Sequence, residues 1–141
     1  MQAFFWLSEE IGNKNPSYRE GVLSMGRLIG LKVVFADEAP TDRSRVDWVS
    51  EQLNTAEFAF FDVTEASADC LIALGMGVES EAQCFAFRDP DAKAGFSSYI
   101  IPTARDFFGP DDFQRKVRAV ITEVQGASTI QHRQLVEHIK Q

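Results

Sequence analysis

Cysteine is scarce in this chain: Cys70 and Cys84 are its two examples among 141 residues, and their spacing fits no metal motif. A chain of this length buries roughly 68–70% of its unfolded surface, so it needs no disulfide or metal staple, and two lone thiols suit a reducing cytosol. Histidine is equally rare. His132 and His138 stand six apart, on different faces of a helix, and read as solvated groups rather than ligands. Positive charge is also short: 14 Lys+Arg oppose 21 Asp+Glu, for a formal net charge of −7. Without a basic footprint the domain is not expected to bind nucleic acid directly. No long apolar run occurs, since the first, residues 3–7, gives way at once to Glu9 and Glu10. That excludes a signal core or membrane span there and makes the expected location cytoplasmic, with no membrane partner. No glycine-rich phosphate loop with Lys, no internal repeat and no low-complexity tract is present.

What the chain does contain is a series of short, continuous apolar runs: residues 3–7 (AFFWL), 32–35 (KVVF), 58–61 (FAFF), 83–87 (QCFAF) and 99–101 (YII). Continuous rather than alternating runs are the mark of strands buried on both faces of a parallel sheet. Segments of helical spacing separate them. The first opens at Pro16 with a capping box from Ser17 to Glu20, carries Tyr18, Val22, Met25 and Ile29 on one stripe, and closes at Gly30. A second, over 42–55, places Val46, Val49 and Leu53 on one face and leaves Trp48 off it, available to a neighbouring element or a partner. A third spans 69–79. A fourth starts at Pro110, with Asp111 and Asp112 in its first turn and Phe113, Val117, Val120, Ile121 and Val124 on its stripe. Residues 104–108 read as a short helical turn, and the pattern breaks at 126–128 before a final amphipathic stretch from Ile130. The expected division is a domain over 1–125 and a tail helix over 126–141, which is either a tail or the start of a further region.

Strand–helix alternation implies right-handed crossovers. The expected fold class is therefore α/β: a flavodoxin-like, doubly wound, five-stranded parallel sheet of order 2-1-3-4-5 with helices on both faces. In such sheets ligands bind beyond the carboxyl ends of the strands where the winding reverses, here between strands 1 and 3. The loops at that point supply Ser8 and Glu9 after strand 1, Asp37 after strand 2, and Asp62, Thr64, Glu65, Ser67 and Asp69 after strand 3. The expected lining is rich in carboxylates and hydroxyls and nearly free of cations, which suits ribose hydroxyls better than a triphosphate. A plainer role competes at several of these positions, because Asp62, Ser67 and Asp69 are also the residue types that cap the next helix. Phe60 and Phe61 belong to the core. No metal site and no nucleophile–His pair with supporting context is visible.

The order of "GLKVVFADE" at 30–38, "AEFAFFDVT" at 56–64 and "SADCLIALGMG" at 67–77 resembles the TIR-like and nucleoside 2-deoxyribosyltransferase-like superfamily over residues 3–125. The TIR pattern of a Ser, a Cys three residues on and then a Glu-Leu pair falls on Ser67, Cys70 and Ala73-Leu74. The transferase pattern Asn-Val-x-x-Glu-Leu-Gly falls on residues 69–75, and both put the catalytic Glu of the superfamily at Ala73. The resemblance implies a nucleotide or nucleoside ligand, NAD among the possibilities, no required cofactor, N-glycosidic cleavage or transfer, self-association into a homo-oligomer, and a kinship with bacterial defence effectors. It also implies near-inactivity, because a methyl group cannot stabilise an oxocarbenium ion, act as nucleophile or orient an acceptor. Three origins for Ala73 stand open: a natural non-catalytic descendant, an introduced Glu→Ala change, or transfer of the role to Glu65 or Asp62. The competing function is a homotypic interaction module that uses Trp48 and the tail from Ile130 as contacts.

Overall fold

The computed structural model describes residues 1–92 and 103–140, with the backbone alone at 10, 13, 14 and 127–140. Its elements are β1 (Gln2–Trp6), α1 (Glu9–Lys14), α2 (Ser17–Ile29), β2 (Lys32–Phe35), a 3-10 turn (Ala36–Glu38), α3 (Arg45–Thr55), β3 (Phe58–Asp62), α4 (Ala68–Val78), β4 (Gln83–Arg88), β5 (Arg105–Asp106) and α5 (Gly109–Lys140). The five strands form one sheet of order β2-β1-β3-β4-β5, and every pairing is parallel. The doubly wound α/β architecture expected from the sequence is present.

Alternate strand residues serve the two faces. Phe5, Phe60 and Phe87 point to one side, with Tyr18, Val22 and Met25 of α2 and Phe113, Val117 and Ile121 of α5. Phe4, Ala59 and Phe61 point to the other, with Trp48, Val49 and Leu53 of α3 and Cys70 and Ala73 of α4. Stacked rings run across the first face, as in Phe5–Phe60, with centroids 4.9 Å apart, and Phe60–Phe85 at 5.6 Å. The close approach of α4 to the sheet depends on Gly77, where a Cβ would fall 2.8 Å from Cys84 Sγ and 3.2 Å from the Phe61 ring. Gly30 ends α2 at φ 71°, a left-handed conformation that costs glycine little.

Several expectations are corrected. The fifth strand is Arg105–Asp106, paired to Phe87 and Arg88, so residues 104–108 are not a helical turn; the run at 99–101 lies outside the described residues. Ser17 makes no capping box: it is already helical, and its N–H donates to Asn15 Oδ1 at 3.1 Å. The stretch after β1 is not a plain loop but holds the short helix α1, capped by Ser8. On α3 the buried face is Trp48, Val49 and Leu53, while Val46 is 61% exposed. Trp48 is 7% exposed and meets Phe4 edge-on at 6.3 Å; burying an indole removes far more apolar surface than burying Val46, and this sets the rotation of the helix. No break occurs at 126–128 either, because α5 runs unbroken through 32 residues. A glycine inside a helix costs only about 1 kcal/mol, too little to end one. No described helix is long and apolar enough to cross a membrane.

Candidate functional site

A cavity of about 400 Å³ opens at the carboxyl ends of β2, β1 and β3, at the winding reversal. Its geometry starts from Asp62, the last residue of β3, which is 2% exposed. The Ser8 backbone N–H donates to Asp62 Oδ2 at 3.1 Å, and the Thr64 N–H donates to Oδ1 at 3.1 Å, joined there by the Thr64 hydroxyl. Thr64 Oγ1 in turn accepts from the Asp89 N–H at 3.0 Å. One carboxylate thus ties together the ends of β1, β3 and β4. Burial pushes its carboxyl above the usual range, against the lowering effect of the Thr64 and Ser8 hydrogen bonds.

The loop that follows holds Ala66 at φ 47°, a strained left-handed conformation for a residue with a Cβ. This turn delivers Ser67 to the start of α4, where its hydroxyl accepts from the Cys70 N–H at 3.2 Å. Ser67 is therefore the cap, and Asp69 sits in the first turn facing the cavity. The Cys70 thiol lies at the cavity floor and donates to the Asp62 carbonyl at 3.6 Å. Burial first, then the charges of Asp62 and Glu65, push it up to about 12, so it stays a thiol and not a nucleophile.

Two other lining residues, one from each face of the sheet, contradict the expectation of a lining nearly free of cations. Arg19 from α2 and Arg45, the first residue of α3, both line the cavity. Arg19 pairs with Asp37 at 2.7 Å and lies 4.1 Å over the Phe35 ring. Arg45 lies 5.5 Å over the Trp6 ring. Trp6 and Phe35 were legible only as strand residues, and the two arginines only as polar positions near helix starts. Their convergence depends on where α2 and α3 cross the sheet, which no local pattern encodes.

Of the residues singled out in the sequence, Ser8, Glu9, Asp37, Asp62, Glu65, Ser67 and Asp69 line the cavity. Thr64 stands behind it, 2% exposed, as a hydrogen-bond partner of Asp62. Ala73 does not line it: at 3% exposure it belongs to the core under α4, together with Phe61 and Val63. Among the described residues no three His, Cys, Asp or Glu side chains gather closely enough to hold a metal ion.

No family model and no curated protein matches this chain. Among solved structures, a 2-deoxyribosyltransferase from the psychrotolerant bacterium Bacillus psychrosaccharolyticus, a biocatalyst for nucleoside synthesis, matches 79% of this chain and 90% of its own, with a TM-score of 0.54 and 12% identity. The chain is built on the nucleoside 2-deoxyribosyltransferase-like fold.

Proposed function

We propose that this domain binds a nucleoside or nucleotide in the cavity between β1 and β3, in a site of the N-glycosidic type that turns over weakly or not at all. The observation that carries this is the mixed lining at the winding reversal, where the carboxylates and hydroxyls of Ser8, Glu9, Asp62, Glu65, Ser67 and Asp69 share one cavity with the rings of Trp6 and Phe35. Sugar hydroxyls are natural donors to Glu9, Glu65 and Asp69, and a planar base suits an aromatic ring such as that of Trp6. A deoxynucleoside is the first ligand to try, because the fold is shared with a 2-deoxyribosyltransferase. NAD comes next, from the TIR-like resemblance.

Cleavage of an N-glycosidic bond develops positive charge on the sugar, which a carboxylate on one face must stabilise. Position 73 offers a methyl. In our assignment Asp62, held by Ser8 and Thr64, positions the loop, and Glu65, which lines the cavity, is the carboxylate that acts on the sugar. The interaction-module alternative loses one of its two contacts, since Trp48 is buried against Phe4.

Titration calorimetry with 2′-deoxynucleosides, NAD and ADP-ribose tests the binding, and release of free base or nicotinamide tests the chemistry. Saturable binding with slow release is expected. Glu65→Gln should abolish the slow release, whereas Ala73→Glu should cost stability without raising release, because Ala73 lies in the core with Phe61 and Val63. Absence of binding by every ligand would end the proposal.

A further inference from the structure

Two acids follow one another at the end of β2, and the structure uses them differently. Glu38 folds back, its carboxylate accepting from the Phe35 N–H, and so pins the 3-10 turn against the strand it leaves. Asp37 lines the cavity, half exposed, with Arg19 of α2 beside it. The Arg19 guanidinium donates to Asp37 Oδ2 at 2.7 Å and lies 4.1 Å from the centroid of the buried Phe35 ring. A guanidinium seated on a ring has its planar N–H fork fixed in direction, and this orients the carboxylate it grips. One carboxylate oxygen is taken. Among the described residues no group donates to the other, Oδ1, and Arg19 makes no further hydrogen bond. The cavity therefore presents an open acceptor and open donors side by side.

We propose that Arg19 and Asp37 read the cis-diol of a ribose, so that the cavity prefers a ribonucleoside or ribonucleotide to its 2′-deoxy form. The assignment rests on the nucleoside reading of the cavity and names the sugar within it. A vicinal diol matches the pair, because one hydroxyl donates to Asp37 Oδ1 while its neighbour accepts from Arg19. A 2′-deoxy ring has no such diol. The position agrees by analogy: doubly wound dinucleotide-binding sheets place the acid that accepts from a ribose 2′-hydroxyl beyond the end of the second strand, beside the first. Reach agrees as well. Phe35 and Phe60 both stand in register with Phe5, so the ends of β2 and β3 lie two strand spacings apart, about 10 Å. One nucleoside spans that distance, with its diol at Asp37 and its glycosidic bond toward the β3 loop.

The test is calorimetric titration of the intact chain with adenosine and uridine, each against its 2′-deoxy form, for the wild type, Asp37→Ala and Arg19→Gln. Asp37 sits in an exposed turn and Arg19 is half-buried on the surface of α2, so both variants are expected to fold, and far-UV circular dichroism checks this. The wild type should bind at least one riboside about tenfold more tightly than its 2′-deoxy form. Asp37→Ala should bring the two forms to within about twofold of each other, and Arg19→Gln should remove part of the margin. Equal affinity of the wild type for the two forms, or tighter binding of the 2′-deoxy form, overturns the assignment and leaves the nucleoside site standing, as does a margin that survives Asp37→Ala. Binding of none of the four overturns the site and the assignment together.

Discussion

Removing the Asp62 carboxylate tests whether it is the clasp that closes the cavity. In Asp62→Ala the Ser8 N–H, the Thr64 N–H and the Thr64 hydroxyl lose their acceptor. A buried donor without a partner costs about 1–3 kcal/mol. The hydroxyl can rotate, so the two backbone amides set the scale, and the expected loss is about 2–5 kcal/mol. Asp62→Asn keeps one acceptor oxygen and presents an amide N–H₂ to one of the donors; it also removes the burden of burying a charge. Its loss should be smaller, about 1–2 kcal/mol at neutral pH. The two variants also differ from the wild type in pH dependence. Burial raises the Asp62 carboxyl in the folded state above its ordinary 3.8, so its stabilising contribution is complete below that value and fades as pH rises through the raised one. The penalty of Asp62→Asn should therefore be largest near pH 4 and shrink as pH climbs. Urea unfolding followed by circular dichroism at several pH values measures both quantities. An alanine variant as stable as the wild type, or an asparagine penalty that grows with pH, would refute the reasoning.

Three further outcomes follow from particular contacts. Gly77→Ala forces a Cβ to within 2.8 Å of Cys84 Sγ, and should cost about 1–3 kcal/mol in denaturant midpoint. Ala66→Gly relieves the left-handed backbone at φ 47°, and after the entropy cost of glycine should gain up to about 1 kcal/mol, read as a rise in Tm. Asp112→Asn removes a carboxylate that accepts from Arg115 at 2.7 Å and from the Phe108 N–H at 2.9 Å. The Arg115 bond leads in holding its carboxyl down to about 2, so its contribution is present above the ordinary 3.8 and lost as pH falls toward 2. The variant should unfold more readily at pH 7, with the difference vanishing in acid titrations monitored by fluorescence.

The sheet was legible because its central strands are buried on both faces: Phe4, Phe5, Phe60 and Phe61 leave no room for alternation, so period and length agree. Strand 5 was not, because two residues, Arg105 and Asp106, carry no hydrophobic pattern and join the sheet only through pairing with β4. Trp48 was misplaced for a related reason: Val46, Val49 and Leu53 satisfy helical spacing, but tertiary packing chose the residue with more surface to bury. In the site, the acids were found by topology, since loops at the winding reversal can be read off strand order. Arg19, Arg45, Trp6 and Phe35 were missed because each sits inside a strand or helix that fixes its direction only after assembly. Ala73 shows the reverse limit: a motif position placed it at the site, and the helix turned its methyl into the core.

We place a sugar-bearing base in the cavity between β1 and β3. Heteronuclear NMR of the ¹⁵N-labelled chain, titrated with 2′-deoxyadenosine 5′-monophosphate, tests it most directly. Saturable shifts confined to Trp6–Glu9, Asp37, Arg45 and the amides of residues 62–70 are the predicted result. No shifts at millimolar ligand, or shifts gathered instead around Asn54, Met76 and Glu79 in the groove between α3 and α4, would contradict it.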